Sequence, residues 1–221
     1  MSTMSNEVHQ RVNFVLYRVP FFLEPGYIDK PADFWETHDT RMIRKFGSKE
    51  EFERVKAAHG LIPRGAEVGL DRSVGFTQEN LTLRRQSSTL NAHRLIYFVT
   101  QEYSVSMAEE LYNLLNKKHF TESGILNDTD LLLDSAEAVG ADRRVCATFL
   151  ESSRGKDAVL RTVDMVHELG IHSIPTLVVD GRYVVSGAAR ADEVANTLRQ
   201  VIRDGNSISG KRMFDEIMRF D

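Results

Sequence analysis

Between Thr89 and Gly170 the apolar residues recur at three- and four-residue spacing, which predicts a run of amphipathic helices. Leu90, Ala92, Leu95, Ile96 and Val99 form one stripe, and Leu111, Leu114 and Leu115 a second. Leu131, Leu132, Ala136 and Val139 form a third, and Val159, Leu160, Val163 and Val166 a fourth. Polar punctuation falls between them. Ser106-x-x-Glu109 reads as a capping box, and Asn127-Asp128 and Asp142 are N-cap residues whose side chains can accept from free backbone N–H groups. Gly140 and Gly170 read as stops. Connections this short predict an antiparallel bundle.

The period changes at Ile171. Thr176 to Val179 are β-branched or apolar and suit a pleated, buried strand, while Asp180-Gly181 is a strong two-residue hairpin signal. Tyr183 to Val185 is the returning strand, and Ser186-Gly187 breaks it. Pro175 stands just before the first strand, where it removes no ladder hydrogen bond. A helix carrying Val194, Ala195, Leu198, Val201 and Ile202 follows. Beyond Gly205, Met213, Phe214, Ile217 and Met218 share one helical face.

The N-terminal third is less regular. Val12 to Leu23 is apolar, and its first half reads as a strand that Pro20 ends. Glu24-Pro25-Gly26 is a turn. Phe34, Trp35, Met42, Ile43 and Phe46 fall at helical spacing before Gly47, and Ser48-x-x-Glu51 opens another helix running towards His59-Gly60. Gly60 to Gly75 is glycine-rich but lacks a Gly-Lys-Ser/Thr end, so it is not read as a phosphate loop. Strand, helices, helical block, hairpin and helix add up to an α/β layered fold with a helical insertion.

Composition narrows the function. The 221 residues carry a net charge of −4, which argues against a nucleic-acid partner. No window approaches the roughly 18 apolar residues of a membrane span, and Met1 to Gln10 is polar, so the expectation is a cytoplasmic protein. There is one cysteine, Cys146. It can form neither an intrachain disulfide nor a Cys-x-x-Cys pair, and its apolar neighbours predict a buried, inert thiol. His93, His119, His167 and His172 lack metal-ligand spacing, and neither a metal nor a cofactor is read.

Three segments, in order, carry a family resemblance. Arg18-Val19-Pro20-Phe21-Phe22-Leu23-Glu24-Pro25 resembles the "RPFxLNP" segment of the DsbA-like family. Thr89-Leu90-Asn91-Ala92-His93-Arg94-Leu95 resembles the "NTLxAHRL" segment of its FrnE-type branch, and Ile171 to Ala189 resembles that branch's "GVxGVPxFVxxGxxxxSGAQ" segment. The 2-hydroxychromene-2-carboxylate isomerases and kappa-class glutathione transferases are nearby branches. The resemblance implies a thioredoxin-like fold with an inserted helical subdomain. It divides the chain into a flexible N-terminus (1–11), the first part of the thioredoxin-like domain (12–88), the insertion (89–152), the second part (153–204) and an amphipathic tail (205–221).

The resemblance also implies a cis Ile174-Pro175 bond and a loop of His172, Ser173, Ile174 and Pro175 that binds an extended peptide or protein, with His93 at its rim. Family members open with a strand and a helix bearing Cys-Pro-x-Cys. That unit needs roughly 25 residues at ordinary element lengths. Only Met1 to Arg11 precede the strand predicted from Val12, so the unit is expected to be missing. The expectation is then a redox-inactive binding or scaffold protein of the oxidoreductase family. The alternatives are an active disulfide oxidoreductase whose cysteine segment lies outside this chain, and a glutathione-dependent transferase or isomerase. Ala188-Ala189 stands where those last branches tend to carry an Asp that binds glutathione, which weakens that alternative. Sheet faces left uncovered by the missing unit predict a homodimer, with the tail as a further cover.

Overall fold

The computed structural model describes residues 16–59, 84–187 and 189–205. In chain order it contains a 3-10 turn (Pro25–Tyr27), β1 (Glu36–Thr37), α1 (His38–Phe46), α2 (Lys49–His59), β2 (Arg85–Gln86) and α3 (Leu90–Glu102). These are followed by α4 (Val105–Thr121), α5 (Thr129–Ala138), α6 (Arg143–Glu151), α7 (Lys156–Glu168), β3 (Thr176–Val179), β4 (Tyr183–Ser186) and α8 (Ala191–Asp204). The described strands form two two-stranded sheets, β1 antiparallel to β2 and β3 antiparallel to β4. No described helix is long and apolar enough to cross a membrane.

The core lies among α3, α4, α5 and α6. Leu95, Val99, Leu111, Leu132, Ala136 and Cys146 have no exposed surface, and Phe98 stacks on Phe149 with centroids 4.2 Å apart. Each large side chain buried here contributes about 1.5–3 kcal/mol. The helix ends are satisfied as the sequence predicts at two places. Asp128 Oδ1 accepts from the N–H groups of Asp130 and Leu131, and Asp142 Oδ1 from those of Arg144 and Val145. The cap of α4 differs from the expectation. It is Ser104, whose Oγ accepts from Met107 N–H at 3.1 Å, and Ser106 lies inside the first turn. The reason is local: α3 ends with Tyr103 and Ser104 both donating to the Val99 carbonyl, which leaves Ser104 extended and next to α4.

Arg94 closes the C-terminal end of α6. Its Nε donates to the Arg154 carbonyl at 3.0 Å and its Nη2 to those of Phe149 and Ser152, while Nη1 donates to Asn91 Oδ1. Carbonyls at the end of a helix lack intrahelical partners, and a guanidinium fork supplies several donors at once.

Two N-terminal expectations are corrected. Of the strand expected in the first half of Val12 to Leu23, the described Leu16 and Tyr17 are not in a strand; further on, Phe22 packs on Val159 and Val163 of α7, and Arg18 makes a two-pronged ion pair with Glu109 of α4 and lies over Tyr112. Residues 12–15 lie outside the described residues, as do the glycine-rich 60–75 and the tail from 206. Phe34 and Trp35 precede the helix rather than joining it. Thr37 is extended and caps α1 by accepting from Thr40 N–H at 3.1 Å, so α1 starts at His38. Ser48 caps α2, with Glu51 N–H donating to Ser48 Oγ at 3.1 Å, while the Glu51 carboxylate pairs with Arg54 rather than closing the box, and Gly47 ends α1 at φ +83°.

The hairpin has a three-residue connection rather than two. Asp180 and Gly181 take positive φ (+53° and +65°), as a type I′ turn requires, but the register pairs Val179 with Tyr183. Arg182 is thereby left outside the ladder, donating to Asp180 and to the Gly205 carbonyl. β3 is half-buried throughout, Val185 of β4 is buried, and α8 contributes no fully buried residue.

Candidate functional site

The loop between α7 and β3 begins at Gly170, whose φ of +76° lets the chain leave the helix while Ile171 N–H donates to the Val166 carbonyl at 3.1 Å. His172, Ser173, Ile174 and Pro175 are all exposed, and the Ile174-Pro175 peptide is cis. The loop is held at two points. Thr176 Oγ1 donates to the Ser173 carbonyl at 2.8 Å, and Gly187 N–H donates to the Pro175 carbonyl at 2.8 Å. Among the described residues the Ile174 backbone has no hydrogen-bond partner, and its side chain is 48% exposed.

An aromatic ridge borders this loop. The His172 ring stacks on that of His167 at 5.7 Å and 23°, and Phe21 meets His167 edge-on at 5.7 Å and 88°. The loop is therefore flanked by the end of α7 and by the segment carrying Pro20 and Phe21. His93 has a different setting. It meets Phe22 edge-on at 5.4 Å and lines a shallow cleft with Arg18, Pro20, Tyr97 and Val159. Burial pushes its pKa down to about 4, with the Phe21 backbone pulling the other way, so the ring is neutral near pH 7. Phe21 and Phe22 thus link the two places, one facing His167 and the other His93.

Phe21 and His167 are the neighbours that sequence reasoning missed. Phe21 lies in an apolar segment just past Pro20, and nothing in the sequence ties it to His167.

Cys146 is remote from this chemistry. It sits in the helical core with no exposed surface, and burial, reinforced by Asp142, raises its thiol pKa. No group of described His, Cys, Asp and Glu residues is arranged to hold a metal ion.

A model of the DSBA-like thioredoxin domain matches residues 47–199. The chain belongs to that family. Its fold is accordingly a DsbA-like thioredoxin fold, helix-rich with a small sheet. Among solved structures it is similar to a probable DsbA oxidoreductase from Streptomyces coelicolor, at a TM-score of 0.66 and 24% identity over 85% of this chain and 75% of that one. No curated protein matches. The matched residues of this DsbA-like chain include the helical block and the cis-proline loop, and Cys146 is the only cysteine in its sequence.

Proposed function

We propose that this DsbA-like chain binds an extended polypeptide segment at His172, Ser173, Ile174 and Pro175, and that it does so without turning over a disulfide itself. The observation that carries the reading is the contrast between an exposed loop with an unpaired Ile174 backbone and a sole thiol sealed in a separate core. An unpaired backbone N–H and C=O beside an apolar side chain is what strand addition of a peptide uses. Thiol–disulfide exchange needs an accessible thiolate and a second sulfur. Cys146 offers neither.

The reading is tested by two assays on the same preparation. Titration with an unfolded, cysteine-free polypeptide is expected to show saturable binding that Ile174→Asp weakens. Insulin reduction is expected at background. Turnover above background that Cys146→Ser abolishes would overturn the redox-inactive part and favour the disulfide oxidoreductase activity proper to the family.

Self-association belongs to the same reading. Val184 and Ile202 are 56% and 44% exposed, and β3 pairs only with β4 among the described residues. The open strand edge and these two exposed apolar side chains belong to the same C-terminal unit. A two-fold dimer through the hairpin and α8 would cover it. Sedimentation at micromolar concentration is expected to give a dimer, and a monomer there would sink this part.

A further inference from the structure

Between Gly170 and Thr176 the chain carries one titratable side chain, His172. It is exposed, and its ring stacks on that of the half-buried His167 in the last turn of α7, with centroids 5.7 Å apart and planes 23° apart. Phe21 meets His167 edge-on at 5.7 Å. Neither imidazole has a hydrogen bond or an ion pair among the described residues, and the His172 backbone has no hydrogen bond among them. The loop is pinned before His172, where Ile171 N–H donates to the Val166 carbonyl. It is pinned again after it, where the Ser173 and Pro175 carbonyls accept from Thr176 Oγ1 and Gly187 N–H. The ring stack is therefore what holds His172 itself against α7 and the Phe21 segment.

No described carboxylate is paired with either ring. On α7, Asp164 and Glu168 lie within one turn of His167, are exposed and form an ion pair with neither ring. In the N-terminal segment Arg18 pairs with Glu109, and Glu24 with Arg41 and Arg44. Beyond the Gly187 anchor, Arg190 pairs with Asp192. On α3, His93 meets Phe22, and burial keeps it neutral. Imidazole is the side chain whose charge changes between pH 5 and 8. Two neutral rings, or one neutral and one charged, can stay stacked. Two imidazolium ions face to face repel, and no paired carboxylate is there to relieve them.

We infer that the His167–His172 stack is an acid-opened clasp on the polypeptide-binding loop. Closed, it holds His172 and Ser173 beside the unpaired Ile174 backbone. Uptake of the second proton below neutral pH separates the rings, releases His172 from α7 and weakens the grip on a bound segment. The inference rests on the binding reading given above and adds its regulation.

The test is titration of the full chain at pH 7.5 and at pH 5.5 with an end-blocked peptide of valine, serine and threonine, which has no titratable group of its own. The wild type is expected to bind about tenfold more weakly at pH 5.5, the size of one proton released on binding across one pH unit. His167→Phe keeps a flat ring against His172 and Phe21 but cannot take up a proton, and its ratio of affinities at the two pH values is expected to be near one. The ratio is read, so a change in absolute affinity does not enter. Should His167→Phe fail to fold, His172→Phe makes the same change in the other ring. Equal ratios in wild type and variant, whether both near one or both large, would overturn the clasp and leave the binding reading standing. No saturable binding by the wild type at pH 7.5 would overturn the binding reading, and the clasp with it.

Discussion

The helical block from α3 to α6 and the C-terminal unit of β3, β4 and α8 are built on opposite terms. The block closes on itself: Leu95, Leu111 and Leu132 have no exposed surface, Ser104, Asp128 and Asp142 cap α4, α5 and α6, and Arg94 satisfies carbonyls at one of its ends. The C-terminal unit has one buried apolar side chain, Val185, and exposes Val184 and Ile202. Rigid, closed packing suits a scaffold. Open, half-buried strands beside an exposed loop suit a surface that exchanges partners. The comparison therefore places stability in one region and the proposed binding surface in the other.

Core truncation should separate them most. Leu111→Ala or Leu132→Ala is expected to cost about 2–5 kcal/mol in denaturant unfolding, whereas Val184→Ala should change stability by less than about 0.5 kcal/mol. Equal effects would erase the distinction. Next in size is Arg94→Ala, expected to cost about 2–3 kcal/mol because the Leu150, Ser152 and Arg154 carbonyls at and just past the end of α6 lose its guanidinium as donor.

Acid should act mainly on the helical part. His38, His93 and His119 are each lowered to about 4 from 6.5, by burial first, with cationic neighbours adding to it for His38 and His119. They are neutral in the folded chain, so the unfolded chain takes up protons first as the pH falls. Their contribution is intact above pH 6.5, is lost from there down to about 4, and levels off below. Each would give a slope on the order of 1 kcal/mol per pH unit within that window. Denaturant midpoints at pH 7, 6 and 5 check this, and His38→Phe should flatten the slope.

Caps give the smallest effect and the sharpest local contrast. Ser104→Ala should cost about 1 kcal/mol and Ser106→Ala close to nothing, in the same thermal melts.

That last pair also shows what the sequence could tell. The helices were legible because their apolar stripes repeat at 3.6 residues, and Asp128 and Asp142 because an acidic residue before such a stripe has a direct physical use. The capping-box pattern points to Ser106 because it ignores where the preceding helix stops, and the cap is Ser104. β1 and β2 were missed since two residues each carry no alternation. The first half of Val12 to Leu23 reads as a strand because apolar content alone does not distinguish sheet pairing from packing on helices, and its described end, Leu16 and Tyr17, is not in one. At the candidate site, the prolyl loop stood out by its residue types. Its neighbours Phe21 and His167 are brought together only by the fold.

The account rests most on the cis-proline loop as the surface that receives a polypeptide. Backbone amide chemical shifts of the isotopically labelled chain, followed while an unfolded, cysteine-free polypeptide is added, test it most directly. Saturable shifts confined to His172, Ser173, Ile174, Thr176 and the adjacent Phe21 and His167 are predicted, with the α3 to α6 core unmoved. Shifts centred on the helical block, or none at the loop at saturating polypeptide, would contradict it.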